Sequence, residues 1–258
     1  MCFMCIVNFH FQQHPKYKLI LAANRDEFYK RPTDRVHFWD DLPNLIAGRD
    51  LEAKGTWLGM TKEGKFGTLT NYRDIKYFNQ KDKRSRGDIV TNFLTDSIHP
   101  EKYLQQLHER RNEYSGFNVI VGDADELYYY GNEQGEIIKI EPGTHSLSNQ
   151  LLNTPWPKVE RAKSLLNDYV TNNETMNPDD LFTLLNDGTI AADEDLPNTG
   201  VGLPFERQLS SIFIQTDGYG TRASTVILIT HDNEVQFIER TFNEGTFESE
   251  VPYEFSIK

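Results

Sequence analysis

Residues 19–33 read LILAANRDEFYKRPT. Leu19 to Ala23 form an unbroken apolar run, the signal of a core strand. Asn24, Arg25, Asp26 and Glu27 follow directly, with no glycine or proline between them. Polar and charged groups thus stand where a core strand ends, and strand ends are where rigid scaffolds display working side chains. The plainer reading is a charged turn in which Arg25 pairs with a neighbouring carboxylate. No glycine-rich phosphate cradle follows this strand: G-x-G-x-x-G and G-x-x-x-x-G-K-[ST] are both absent from the chain.

Working outward, CIVNFHF before this stretch is a short run rich in β-branched and aromatic residues, and reads as a strand. After it, LIAGRD, TWLGMT and KFGTLTNY read as strands, the last two joined by KEG, a good hairpin turn. Two helical patterns come next, GDIVTNFLTD and PEKYLQQLHERRNEY, with Pro100 at the start of the second. NVIVGD, ELYYYG and EIIKIEP return to strand character. A second helical pair is PWPKVERAKSLLNDYV and NPDDLFTLLND, in which Asn177 has the chemistry of an N-cap and Pro178 that of the first turn. LSSIFIQT, STVILIT and EVQFIERTF close the pattern as strands. Residues 187–204, DGTIAADEDLPNTGVGLP, form the one long irregular stretch and are a candidate lid over a pocket. Two helical pairs interrupting a strand-rich chain, without β–α alternation, predict one α+β domain with stacked sheets over residues 1–258 rather than a doubly wound parallel sheet.

Hydrophobic residues make up 38% of the chain, enough for a substantial core. The formal net charge of −12 argues against a nucleic-acid partner, which would require a surplus of Lys and Arg, and against docking on an anionic membrane surface. No stretch reaches the roughly 18 apolar residues of a membrane span. The N-terminus lacks a basic signal-peptide region and turns polar early, so we expect a cytoplasmic protein. Cys2 and Cys5, the two cysteines, make a poor disulfide framework and a weak metal signal; the expectation is free thiols and no bound metal.

Further candidates lie in GRDLEAKGTWLGMT, where Gly48, Gly55 and Gly59 permit tight backbone geometry and Trp57 suggests a packed wall or a ligand face. Asn71 and Arg73 fall just past an apolar strand in LTNYRD, Asn149 is placed similarly in HSLSNQ, and Arg222 precedes STVILIT.

These blocks together resemble the NRDE family, also called the transport and Golgi organisation 2 family. The resemblance runs through MC at the start, LAANRDEFYKRPT, AGRDLEAKGTWLGMT, LTNYRD, SRGDIV, GFNVIVGD and LSNQLLNTPWPKVERAK. That family is in turn similar to the N-terminal nucleophile hydrolases of the penicillin acylase and bile-salt hydrolase type. The resemblance implies a four-layer αββα sandwich of antiparallel sheets, with the first residue after processing, here Cys2, as nucleophile. In the acylase pattern Arg-Asn-x-Asp, Asn24 and Asp26 match and the Arg position is Ala23. The resemblance implies that Asp26 orients Cys2 and its amine, that Asn71 and Asn149 stabilise an oxyanion, and that Arg222 is the late arginine before the last strands. Asn24, Arg25 and Trp57 are the corresponding substrate-contacting candidates.

A terminal cysteine is chemically sufficient for such a role. A thiol attacks as thiolate, with an ordinary pKa near ~8.5, and a free α-amine of pKa about 7.7–8.0 can take its proton. One residue then supplies nucleophile and base, and no histidine is needed. The leading expectation is a cysteine amidohydrolase acting on a non-peptide C–N bond of a small molecule, without a cofactor. The alternative on the same fold is a non-catalytic protein that binds and moves haem, for which His10, His14, His37, Cys2 and Cys5 are the available ligands.

Overall fold

The computed structural model describes residues 5–77, 80 and 82–258. In chain order the strands and helices begin with β1 (Cys5–Phe11), β2 (Tyr17–Phe28), β3 (Thr33–Trp39), β4 (Leu42–Asp50), β5 (Leu58–Thr61) and β6 (Phe66–Asn71). Helices α1 (Gly87–Thr95) and α2 (Pro100–Glu109) follow, then β7 (Phe117–Gly122), β8 (Leu127–Gly131), β9 (Ile137–Lys139) and β10 (Gly143–Leu147). The series ends with α3 (Pro157–Asn172), α4 (Pro178–Leu185), α5 (Leu203–Gln208), β11 (Gln215–Thr216), β12 (Tyr219–Thr230), β13 (Glu234–Asn243) and β14 (Thr246–Ser256).

The strands form two antiparallel sheets. One runs β10-β1-β2-β12-β13-β14, with β11 paired to β12; the other follows the chain from β3 to β9. Period-2 alternation divides each central strand between two cores. Val7, Phe9, Leu19, Leu21, Ala23, Ile227 and Phe237 of the first sheet meet Ile46, Met60, Phe66, Ile120 and Tyr129 of the second in the inter-sheet core. The intervening residues Ile6, Ile20, Ala22, Val226 and Leu228 turn the other way, against Ala162 and Leu166 of α3 and Leu181, Phe182 and Leu185 of α4. On the far side, Leu69, Val119, Tyr128 and Tyr130 pack on Ile89, Val90 and Phe93 of α1 and on Tyr103, Leu104 and Leu107 of α2. The layers are therefore α–β–β–α, as the resemblance implied. Each large apolar side chain sealed between layers contributes roughly 2–3 kcal/mol.

The predicted KEG hairpin joins β5 to β6, and Gly64 adopts the left-handed φ of 88° that the turn requires. The Asn177 side chain caps α4 by accepting from Asp179 N, with Pro178 in the first turn. Several boundaries differ from expectation. The strand of LILAAN continues to Phe28, so Asn24–Glu27 lie within β2 rather than beyond its end. In LSSIFIQT only Gln215 and Thr216 are strand. The N–H groups of Ile212 and Phe213 instead donate to Asp187 O, and Ile212 O accepts from the Asn24 side chain, so no ladder can form there. Four elements escaped the pattern reading: β3, β10, α5 and β14. β14 is an edge strand interrupted by Pro252, where the missing N–H is tolerated, yet Val251, Tyr253, Phe255 and Ile257 alternate onto the inter-sheet core. Among the described residues, no helix is long and apolar enough to cross a membrane.

Candidate functional site

At one end of the sandwich the two sheets diverge around a cavity of about 590 Å3, lined by Cys5, Arg25, Asp26, Glu27, Trp57, Asn71, Arg222 and Glu239 among others. Strand alternation decides what faces it. Cys5 and Arg25 are cross-strand partners on β1 and β2, on the side that carries Val7 and Ala23 into the inter-sheet core. Arg25 Nη2 lies 3.5 Å from Glu27 Oε2 and 3.7 Å from Asp50 Oδ2, while Arg31 Nε lies 2.6 Å from the same Asp50 oxygen. Arg25 thus pairs with carboxylates, but from within a strand and inside the cavity wall. Burial raises the Glu27 carboxyl above its usual range, against the pull of Arg25.

Asp26 has the opposite parity and is 1% exposed. Thr221 Oγ1 on β12 donates to Asp26 Oδ1 at 2.6 Å, and Asp26 Oδ2 has no hydrogen-bond partner among the described residues. Burial pushes this carboxyl well up, with Lys158 and Thr221 opposing the shift. The Cys5 thiol is pushed up to about 12, first by burial and then by the Asp26 charge. Cys5 is therefore a thiol, not a thiolate, at neutral pH.

Cys2 lies outside the described residues. The other sequence candidates separate into two groups. Asn71 ends β6 and lines the cavity. Its carbonyl accepts from Asn149 Nδ2 at 2.8 Å, while Asn149 Oδ1 accepts from Ser148 Oγ at 3.1 Å, so the Asn149 amide is fixed in orientation. Arg222 sits at a β-bulge, where the register passes from Thr221 opposite Asp26 to Ala223 opposite Arg25. Its Nη1 donates to Phe28 O at 3.0 Å and Arg31 O at 2.9 Å, holding the β2–β3 turn against the cavity. Trp57 packs on the inter-sheet core and presents part of its ring to the cavity. Asn24 is elsewhere: it faces the helical layer, donating to Leu185 O at 2.9 Å and Ile212 O at 3.0 Å and accepting from Ser224 Oγ at 2.6 Å. Its amide ties α4 and the 209–214 segment to β2.

Residues 187–204 do not line the cavity. They are tied to the rest of the protein through Glu206 of α5, whose Oε1 accepts from Thr199 and whose Oε2 is 3.2 Å from Arg73 Nη1. Arg73 in turn lies over the Trp156 ring, 4.3 Å from its centroid.

Among the described residues, the haem candidates do not come together. His37 is on β3 of the second sheet, bonded to Arg35 O, and Cys5 is a buried, protonated thiol. His10 and His14 share a different cleft. His14 engages both ring nitrogens, accepting from Lys16 N and bonding Asn173 O, and His10 Nδ1 bonds Thr144 Oγ1 at 2.7 Å. The described haem-ligand candidates therefore do not converge on one cavity. Among the described residues, no three His, Cys, Asp or Glu are grouped to hold a metal ion.

Three contributors went unread in the sequence. Thr221 meets Asp26 only through sheet pairing, and Glu239, opposite Thr225 on β12, reaches the same cavity as Arg25. Glu239 continues the inward series Val235, Phe237, and a glutamate at an inward position was the available signal. Lys158 is the third: on α3 it shares the i, i+4 stripe with buried Ala162, Leu166 and Val170, so a charge falls where periodicity demands an apolar residue.

The fold and site together define a class: a four-layer αββα protein with a buried carboxyl near the ends of its central strands. Residues 4–244 match the family described as Transport and Golgi organisation 2, and the chain belongs to that family. It is 36% identical to the Transport and Golgi organization 2 homolog of Mus musculus, over 99% of this chain and all of that protein. It is also 36% identical to the Homo sapiens homolog over 92% of this chain and 93% of that one. The Drosophila melanogaster protein is 29% identical over 92% of each. Among solved structures, a mutant conjugated bile acid hydrolase from Clostridium perfringens aligns with a TM-score of 0.44 at 10% identity, covering 98% of this chain and 89% of that one. A Caenorhabditis elegans N-acylethanolamine-hydrolyzing acid amidase ortholog aligns with a TM-score of 0.42 at 11% identity, covering 87% and 92%.

Proposed function

We propose that this chain is a cysteine amidohydrolase in which Cys2, freed by removal of Met1, attacks the carbonyl of a non-peptide amide. The observation that carries this reading is the placement of Asp26. It is a fully buried carboxyl with one oxygen unpartnered among the described residues, on a polar cavity that the first residue of β1 also lines. Cys2 is three residues before Cys5, and three residues reach at most about 11 Å.

In the proposed cycle the α-amine of Cys2 takes the thiol proton. The thiolate then forms a C–S bond to the substrate carbonyl, whose π electrons move onto oxygen. Asn71 and Asn149 are the proposed donors to that oxyanion; one such side-chain donor is worth ~3 kcal/mol. The oxyanion collapses as the C–N bond breaks, and the α-ammonium gives its proton to the departing nitrogen. Water, losing a proton to the α-amine, cleaves the thioester, releasing the acid and restoring the thiol. Asp26 orients the amine throughout, and Arg25, Trp57 and Arg222 shape the space around the substrate.

The test is hydrolysis of a panel of N-acyl amines and N-acyl amino acids by protein with a verified Cys2 terminus. Turnover that vanishes in Cys2→Ala, with an acyl-enzyme mass trapped on the wild type, is the expected result. Turnover undiminished by Cys2→Ala, or none across the panel, overturns the reading.

A further inference from the structure

A second cleft, of about 630 Å3, lies between the β1–β2 connection and the C-terminal end of α3. It shares no lining residue with the charged cavity. His10 forms part of its wall and is 6% exposed. His10 Nδ1 bonds Thr144 Oγ1 at 2.7 Å, and that hydroxyl donates onward to Asn167 Oδ1 at 2.9 Å. A threonine hydroxyl has one proton, and Asn167 takes it. The ring proton of His10 is therefore on Nδ1, and Nε2 carries a lone pair. Nε2 is buried with no hydrogen-bond partner among the described residues, a costly state for an acceptor. Burial holds the imidazole below its ordinary pKa, with His14 and His145 adding to the shift, so the lone pair persists at neutral pH.

The rest of the cleft offers acceptors as well. The Asn172 and Asn173 side chains turn their N–H groups back onto Asp168 O and Tyr169 O, each at 2.8 Å, which leaves their amide oxygens to the cleft. Helix α3 ends here with no basic residue in its last turn, so the partial negative charge of its final carbonyls is not offset within the helix. Glu174 is the one charged side chain lining the cleft among the described residues. The protein's own Lys16 marks this rim as a place for an ammonium: its Nζ donates to Thr175 Oγ1 at 2.9 Å and lies 3.8 Å from Glu174 Oε1. Pro15 and Val170 add apolar surface. A ligand that answers these groups carries a positive charge, several N–H donors and a short apolar chain.

We propose that this cleft binds a small primary amine, whose ammonium donates to His10 Nε2 and is held by the C-terminal end of α3 and by Glu174. The site stands apart from the amidohydrolase reading and does not depend on it. Binding transfers no proton: the ammonium keeps its three hydrogens and His10 stays neutral.

The experiment is a titration of the 15N-labelled full chain with n-butylammonium chloride near neutral pH, read on the histidine ring nitrogens by NMR. The free protein is expected to show His10 protonated at Nδ1 and bare at Nε2, and the Nε2 resonance should move saturably as the amine is added. Tetramethylammonium has the same charge and no N–H. It should bind about tenfold more weakly or worse, the worth of a hydrogen bond to a charged group. Glu174→Gln, at an exposed position, should weaken n-butylammonium binding about two- to fivefold, the worth of an exposed ion pair. His10→Phe should abolish the saturable response of the Asn172 and Asn173 side-chain amides; the comparison of the two cations uses wild type alone and stands if that variant does not fold. A free protein with His10 protonated at Nε2, no saturable shift at His10, or equal affinity for tetramethylammonium overturns the inference.

Discussion

Glu239 shows how one side chain joins the sheets and is strained by doing so. Its Oε1 accepts from Val36 N at 2.7 Å, linking β13 to β3, but complete burial raises its pKa from 4.5 to about 7. A carboxyl whose folded pKa is raised contributes stability that is fully present below the unfolded value and is lost as pH rises through the folded one. Glu239→Gln removes the ionisation and keeps an acceptor. The stability of wild type relative to Glu239→Gln should therefore fall between pH 4.5 and pH 8, by on the order of 3 kcal/mol. Urea unfolding at the two pH values measures this, and a pH-independent difference would contradict it. At this scale the sequence was half legible. Asp26 and Asn71 stood out because polar residues followed apolar strands. Lys158 and Glu239 broke a periodic pattern, which is a signal, but their partners are set by contacts between distant parts of the chain.

The elements around the cavity are held by close backbone approach. A Cβ added to Gly55 would lie 2.6 Å from Gly87 C and 2.8 Å from Gly87 O, and both glycines line the cavity. Gly55→Ala must push the start of α1 away from the β4–β5 connection. The expected cost is about 1–3 kcal/mol. Gly188→Ala, with nothing within 4 Å of its added Cβ, should stay within about 0.5 kcal/mol of wild type. Thermal denaturation of the pair decides the point: equal effects would show that the Gly55–Gly87 contact carries no constraint. Gly55 was visible in the sequence as a permissive position; that it touches Gly87, 32 residues further on, was not. Elements with clear alternation or capping, such as β1, the β5–β6 hairpin and α4, could be read directly. β3 and β14 could not, because edge strands carry the charges and the proline that read as loop. Residues 209–214 misled in the opposite sense, being apolar enough for a strand but hydrogen-bonded to Asp187 and Asn24 instead.

Across the whole molecule, the layered order follows from local patterning, whereas the site depends on chain topology. β2 lies between β1 and β12, so residues separated by 195 positions, Asp26 and Thr221, meet at the end of the sandwich. Helical pairs interrupting strands announced stacked sheets, but neighbours within a sheet are chosen by pairing across the full length of the chain. On the reading proposed above, this end of the sandwich serves a free, reactive Cys2. Burial pushes the Cys5 thiol well up, to about 12, so it stays protonated at pH 7 and the two cysteines are chemically distinguishable. The most direct measurement is the intact mass of untagged protein after brief exposure to iodoacetamide at pH 7, with the label located by peptide mapping. Loss of Met1 and a single label on Cys2 are the expected result. Retained Met1, or a Cys2 labelled no faster than Cys5, would contradict it.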